Sequence, residues 1–157
     1  MGCTPRSRQC DTTYLRKGQA TPACCRENVI RTLAAATKLF DEHDIRYWLD
    51  YGALLGAVRE GGMIAHDNDA DVGILLEDWG KLKRVRPLAE SAGFVLRFIK
   101  HLDYARAQVS FANRLHVCIF VWHEPKPGWL ERPTYMRIDE QVGKGRGFPK
   151  AWIEERS

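Results

Sequence analysis

The sequence predicts an α/β or α+β fold, and two observations carry this prediction. First, apolar residues recur at helical spacing over 22–43, whereas 45–50 and 115–122 are short, strongly apolar runs typical of buried strands. Second, helix and strand patterns alternate along the chain and are followed by several consecutive strands. Such an order favours a sheet packed against helices.

Length and composition indicate one globular domain. The chain has 157 residues, of which 45% are hydrophobic and 28% are charged. We expect a polar arm at 1–21 and a single domain at 22–157. The net charge of +4 suits a nucleotide or polyanionic substrate without requiring nucleic acid, and no nucleic-acid partner is predicted. No apolar run reaches the length of a membrane-spanning helix.

Turn and capping residues set the expected element boundaries. Thr21 is the predicted N-cap of the first helix and Pro22 its first residue. Gly52 is expected to form a tight turn, and Asp78 to cap a helix over 79–92. The other predicted elements are a helix at 53–60 closed by Gly61-Gly62, and strands at 70–76, 94–101, 104–111 and near 135–138.

The most informative segment is acidic and leads into a buried strand. Asp67, Asp69 and Asp71 precede the apolar run that starts at Val72. Alternate residues of a strand share a face, so Asp69 and Asp71 should point the same way, roughly 6.5–7 Å apart. A divalent cation offsets the repulsion between two such carboxylates, and oxygen ligands suit Mg²⁺ or Mn²⁺. The sequence therefore predicts a metal site at Asp69 and Asp71.

The acidic segment has two other interpretations. A calcium-binding EF-hand loop needs Gly at its sixth position and Glu at its twelfth, where this chain has Val72 and Asp78, so it is excluded. A solvated acidic turn with no ligand remains open.

A glycine-flanked segment precedes the acidic strand. The predicted strand runs into Gly52-Ala-Leu-Leu-Gly56 and a helix, which places backbone N–H groups and the positive end of that helix together. Arg59 lies one turn further on and is a candidate phosphate ligand. Plain packing is the alternative, because this glycine spacing also lets a helix approach a strand closely. Combined with the acidic strand, the segment indicates a nucleotidyltransferase-type site for phosphoryl transfer.

These residues resemble a known family. The segment 47–74, YWLDYGALLGAVREGGMIAHDNDADVGI, is similar to the signature of the LicD/fukutin family. The matching positions are Gly52, Leu54, Leu55, Gly56, Arg59, Ile64, Asp67, Asp69 and Asp71.

The resemblance implies the nucleotidyltransferase fold, a mixed sheet flanked by helices. It further implies metal-dependent transfer of a phospho-alcohol, of the phosphocholine or ribitol phosphate type, from a CDP-activated donor to a glycan or glycoprotein. A eukaryotic member is expected in the Golgi lumen and a bacterial one in the cytoplasm. The resemblance also implies that Asp69 and Asp71 bind the metal. The expected substrate-binding residues are Gly52, Ala53, Leu55, Gly56, Arg59, His66 and Asp67.

The chain departs from the family pattern in ways that bear on activity. Ala53 replaces a small hydroxyl residue, and Ala65-His66 replaces Pro-Trp. Cys118 stands where a later strand should supply a third carboxylate, which leaves His116 as the candidate catalytic base. The chain also ends soon after Trp152, where members of the family usually continue, so the resemblance implies a fragment, a shortened member or a degenerate one. A catalytically inactive domain that binds a ligand or partner is therefore the alternative. Transfer of a nucleotide to RNA or protein is a third hypothesis, which the modest net charge of the chain disfavours.

Overall fold

The structure is a computed structural model that describes residues 18–100, 105–112, 115–132 and 147–154. These residues form five α-helices and seven strands. The helices are α1 Ala23–Glu42, α2 Tyr51–Glu60, α3 Trp79–Arg84, α4 Arg86–Ser91 and α5 Ala151–Glu154. The strands are β1 Tyr47–Leu49, β2 Asp69–Leu75, β3 Val95–Lys100, β4 Ala105–Ala112, β5 Leu115–Lys126, β6 Trp129–Glu131 and β7 Gly147–Pro149.

The sheet is mixed, as the family resemblance implied. Its main strand order is β1-β2-β5-β4-β3, with β6 paired to β5 and β7 to β6. Only the β2–β5 pair is parallel; the other described pairs are antiparallel. A parallel pair needs a long crossover, which here consists of α3, α4, β3 and β4.

The two faces of the central strands differ in chemistry. On one face, Val72 and Ile74 of β2 meet Val117, Ile119 and Val121 of β5, and all five are fully buried in the main core. Because side chains alternate along a strand, the intervening residues point to the other face. That second face carries the acidic residues of β2.

The first helix matches its prediction except at its start. Val29, Ala36 and Phe40 are buried against the sheet, on the stripe that the helical periodicity indicated. Thr21, however, does not cap α1: Pro22 occupies the N-cap position, and no side chain caps the helix. Thr21 is instead buried, and its backbone N–H donates to the carbonyl of Ala65 at 2.8 Å. The start of α1 is thereby tied to the loop that precedes the acidic strand.

The predicted turn at Gly52 was wrong in detail. The chain passes from β1 through Asp50 directly into α2, and Tyr51 holds the left-handed φ of 40°. Gly52 is already helical. The other end of α2 follows the prediction, because Gly61 adopts a φ of 68° and donates its N–H to Gly56.

The helix predicted over 79–92 is also wrong, because it is two short helices. A 3₁₀ turn at Leu76–Asp78 leads into α3, and α4 restarts after Val85 with Pro87 in its first turn. An uninterrupted helix would place the Pro87 ring against the carbonyl four residues earlier. Asp78 makes no capping hydrogen bond; its buried carboxylate pairs with Lys81 at 2.9 Å and Arg46 at 3.3 Å.

Several expectations concern residues beyond the described ranges. The strand predicted near 135–138 lies outside them, as does most of the arm at 1–21. The strand predicted at 115–122 continues to Lys126, where it pairs with β6. Among the described helices, none combines the length and apolar character needed to cross a bilayer.

Candidate metal and phosphate site

The parallel pairing of β2 and β5 assembles the first part of the site. In this register Asp69 pairs with His116 and Asp71 with Cys118. Paired residues share a face, so all four side chains lie on the face opposite the main core. The His116 Nε2 atom lies 3.6 Å from Asp69 Oδ2. One potential ligand atom from each of Asp69, His116 and Cys118 falls within 4.8 Å of the other two.

Asp71 lies against the start of α2. Its carboxylate accepts a hydrogen bond from the backbone N–H of Gly52. Burial, followed by repulsion from Asp69, Asp50 and Asp67, nevertheless raises the pKa of Asp71 from 3.8 to about 7. Such a rise is expected for a buried carboxylate beside other carboxylates, and a bound cation would lower the pKa again. Asp69 and Asp71 therefore fit the divalent metal predicted from the sequence.

The position of the Asp67 side chain favours a glycine at position 52. A Cβ atom on Gly52 would come within 2.8 Å of Asp67 Oδ2 and 4.0 Å of Asp71 Oδ2. Burial and then the charge of Asp69 raise the pKa of Asp67 above its ordinary value. The first turn of α2 and the acidic segment are thus in direct contact, which brings the two predicted halves of the site together.

Asp50 is a further carboxylate of the site that sequence reasoning missed. As N-cap of α2 it accepts a hydrogen bond from the Tyr51 N–H at 3.0 Å. Its other oxygen accepts from Trp122 Nε1 at 2.8 Å. Burial raises its pKa, and the Trp122 hydrogen bond acts in the opposite direction. An Asp directly before a predicted helix is a signal for an N-cap. Nothing in the sequence, however, indicated the hydrogen bond between Asp50 and Trp122 of β5.

We expect Trp122→Phe to destabilise the fold by about 2 kcal/mol, because it leaves one oxygen of the buried Asp50 carboxyl without its indole donor. Chemical denaturation measures the effect. Trp129→Phe is the matched control, since it removes an indole hydrogen bond to Glu131 at a part-buried position, and its cost should be smaller. Equal effects for the two substitutions would contradict a special role of the Asp50 contact.

A cation and three aromatic rings flank Asp50. The Tyr51 ring contacts Phe120 and Trp122, with centroids 5.0 and 6.4 Å away. The Arg132 guanidinium lies over Phe120, 4.6 Å from its centroid, and donates to the Tyr51 hydroxyl at 2.7 Å. Its positive charge lowers the pKa of Asp50 in opposition to the larger effect of burial. Arg132 lies 81 residues from Tyr51, so nothing local in the sequence indicated this contact.

Three other predicted substrate residues lie further along α2. Leu55 is 49% exposed, and Arg59 is an exposed residue in the last turn of α2 that bonds Glu60 at 2.5 Å. Gly56 faces the following loop, where an added Cβ would meet the Gly62 carbonyl and come 3.1 Å from Ile64. This close packing is sufficient to explain a glycine there. A phosphate role for Leu55, Gly56 or Arg59 stays a prediction.

An apolar cavity of about 320 Å³ adjoins the acidic residues. Asp67 and Asp69 form its polar side, and apolar residues of α1 and α2, including Val29, Leu33 and Ala53, line much of the rest. This volume is at the lower end of the range for small-molecule sites. The exposed His66 lies close enough for its charge to lower the pKa of Asp67, against the larger effect of burial.

Cys118 does not replace the carboxylate expected at its position. Burial, and the nearby charges of Asp69 and Asp71, raise the pKa of its thiol to about 11, although Gln108 donates a hydrogen bond to Sγ at 3.6 Å. Without a metal the thiol is neutral at pH 7. Cys118 therefore adds no negative charge for a hard cation and no base for an acceptor hydroxyl.

The chain is similar to a known protein family. Residues 44–156 match the family described as LicD/FKTN/FKRP, nucleotidyltransferase domain. The chain belongs to this family. The matched region contains β1, α2, the acidic strand and β5, which are the elements that build the site.

Relatives occur in animals and bacteria. Ribitol 5-phosphate transferase FKRP from Mus musculus is 33% identical over 165 residues, covering 98% of this chain and 32% of the relative. The Homo sapiens protein of that name is 32% identical with the same coverage. An uncharacterized protein of Rickettsia prowazekii is 35% identical over 100 residues, covering 64% of this chain and 35% of the relative. The chain thus spans about a third of the length of these relatives.

Proposed function

We propose that this LicD-family chain is a metal-dependent transferase that moves a phospho-alcohol from a CDP-activated donor to a glycan or glycoprotein. The observation that carries the proposal is the convergence of Asp50, Asp67, Asp69 and Asp71 at the first turn of α2, with the pKa of Asp71 raised to about 7. So many carboxylates are costly together unless a cation accompanies them. The similarity to ribitol 5-phosphate transferase FKRP favours ribitol phosphate over phosphocholine as the transferred group.

The first turn of α2 provides the donor site in this proposal. Asp69 and Asp71 hold Mg²⁺ or Mn²⁺, which when bound would neutralise the phosphate oxygens of the donor. The positive end of the α2 dipole lies beside these carboxylates and favours a phosphate there. Arg132, fixed over Phe120 and Tyr51, adds a positive charge on the same side. The apolar cavity bounded by Asp67 and Asp69 offers space for a less polar part of the donor.

His116 is the proposed proton acceptor for the acceptor hydroxyl. It is partly exposed, with 22% of its side chain accessible, and lies 3.6 Å from Asp69. Since Cys118 cannot serve as the base, His116 is the candidate that the described residues offer at this face.

The second candidate function is a catalytically inactive domain that binds a nucleotide, glycan or protein. The observation that favours it is the neutral, buried Cys118 in place of the third carboxylate. The two candidates differ in turnover: both allow donor binding, but only the transferase releases CMP when an acceptor glycan is added.

Calorimetric titration of CDP-ribitol, with CDP-choline in parallel, tests the donor site. We expect binding in Mn²⁺ that EDTA abolishes and that falls at least about 100-fold in the Asp69→Ala, Asp71→Ala variant, because a lost metal contact is worth several kcal/mol. A Glu27→Ala, Glu42→Ala variant removes two exposed carboxylates of α1 and is the matched charge control. A folded protein that binds neither donor under any of these conditions would contradict the proposal.

A further inference from the structure

The site holds nitrogen and sulfur donors that a Mg²⁺ site does not need. A ring nitrogen of His116, Sγ of Cys118 and a carboxylate oxygen of Asp69 all lie within 4.8 Å of one another. Asp69 of β2 pairs with His116 of β5, and Cys118 lies two residues further along β5 on the same face, so the parallel register fixes their backbone positions. Small side-chain rotations would bring all three donors into contact with one ion at normal metal–ligand distances.

The chemistry of these donors selects a class of metal. Thiolate and imidazole ligands suit Zn²⁺ and Co²⁺, whereas Mg²⁺ prefers six oxygen ligands and loses its water reluctantly. Three protein ligands with a fourth position open is the usual arrangement of a catalytic zinc ion. Asp69, His116 and Cys118 supply that number from the polar face of the sheet.

Packing alone does not account for this combination. Cys118 is 3% exposed and contributes to a small apolar cluster with Leu75, Phe120 and Trp122, as a buried cysteine often does. His116 and Asp69, by contrast, keep part of their side chains accessible, 22% and 34% respectively. The thiol thus forms the inner wall of a polar site that opens to solvent through two further metal-binding side chains.

We propose that Asp69, His116 and Cys118 bind a thiophilic divalent cation of the Zn²⁺ and Co²⁺ class, and that this chain prefers such an ion to Mg²⁺. The thiolate is the ligand, so the Cys118 proton passes to solvent when the metal binds. The ion shares Asp69 with the Asp69/Asp71 pair and uses a ring nitrogen of His116, so it and the Mg²⁺ of the proposed transfer reaction are alternative occupants of the site. While the Zn²⁺-class ion is bound, His116 does not act as the proton acceptor; this consequence for transfer rests on the proposed function. Its binding requires neither donor nor acceptor.

Cobalt substitution provides the test, because a Co²⁺–thiolate bond gives an intense ultraviolet charge-transfer band that oxygen and nitrogen ligands do not. The full-length protein, stripped with chelator and reduced, is titrated with Co²⁺, and the spectrum of Cys118→Ser is subtracted. This subtraction removes any contribution from the other four of the five cysteines. His116→Asn is the second variant, since this partly exposed side chain can be changed with little risk to the core.

We expect a band that Cys118→Ser lacks, that Zn²⁺ displaces and that excess Mg²⁺ leaves unchanged. His116→Asn should weaken Co²⁺ binding by at least about 100-fold, more than the loss of an outer partner of a ligand usually costs. Identical spectra for the wild type and a folded Cys118→Ser variant would overturn the inference. Donor binding in Mn²⁺ would then still support the proposed transferase, whereas a cobalt band without any donor binding would support the metal site alone.

Discussion

Asp71→Asn is expected to stabilise the metal-free protein and, in the same variant, to weaken metal-dependent donor binding by at least about 100-fold. Asn keeps an oxygen that can accept the Gly52 N–H but removes a negative charge from the group formed with Asp50, Asp67 and Asp69. Repulsion therefore falls in the absence of metal, while one of the two proposed metal ligands is weakened. A residue retained for packing alone would not produce these opposite effects.

The stability effect should depend on pH in a defined direction. The pKa of Asp71 rises from 3.8 to about 7 on folding, so between these values the folded protein holds a proton that the unfolded chain has released. This contribution to the free energy of unfolding is fully present below about pH 4 and is lost as pH rises to about 7. The rise corresponds to at most about 4 kcal/mol, reduced to roughly 2 kcal/mol because Asp71 is only partly buried.

Denaturation of wild type and Asp71→Asn in EDTA, at intervals between pH 4 and pH 8, measures this difference. The advantage of the variant should grow across the window and stay constant above about pH 7. Glu42→Gln, which neutralises an exposed carboxylate at the end of α1, is the control and should show no comparable growth. A variant less stable than wild type at pH 8 would contradict the account of crowded carboxylates.

Gly73→Ala is expected to destabilise the protein by about 3 kcal/mol or more, the upper end of what overpacking a buried site usually costs. Gly73 pairs with Trp48 across the β1–β2 ladder. An added Cβ would overlap the Trp48 indole, lying 2.5 Å from Cζ2 and 2.6 Å from Nε1. The ring belongs to a short edge strand, so the strain falls on the β1–β2 pairing.

The strain at Gly73 should also reach the site, because Asp50 follows β1 directly and donates its N–H to the carbonyl of Asp71 at 2.9 Å. Chemical denaturation and donor titration measure the two effects. Gly80→Ala is the matched control: Gly80 is exposed in α3, where a Cβ would meet only Arg84 Nη1 at 3.6 Å. Helix propensity predicts that this control gains up to about 1 kcal/mol. If Gly73→Ala left the free energy of unfolding unchanged, the Trp48 ring would be shown to move aside without cost.

Wherever a pattern depends on near neighbours in the chain, the sequence was informative. The helical periodicity located α1, the glycine after Glu60 located the end of α2, and the apolar run after Asp71 located β2. The prediction was wrong where another residue overrode the local sequence signal. Pro87 divided a predicted single helix, and the carboxylate of Asp78 bonded Arg46, 32 residues away, in place of capping a helix.

By itself the sequence determined the family, the mixed α/β character and the acidic strand with its two candidate metal ligands. Only the tertiary structure decided which groups surround them. The parallel register of β2 and β5 pairs Asp69 with His116 and Asp71 with Cys118, residues 47 positions apart in the chain. The contact of Trp122 with Asp50 likewise joins residues 72 positions apart. The physical reason is that strand pairing fixes the position of every side chain along both strands, whereas local periodicity fixes only the face on which each one lies.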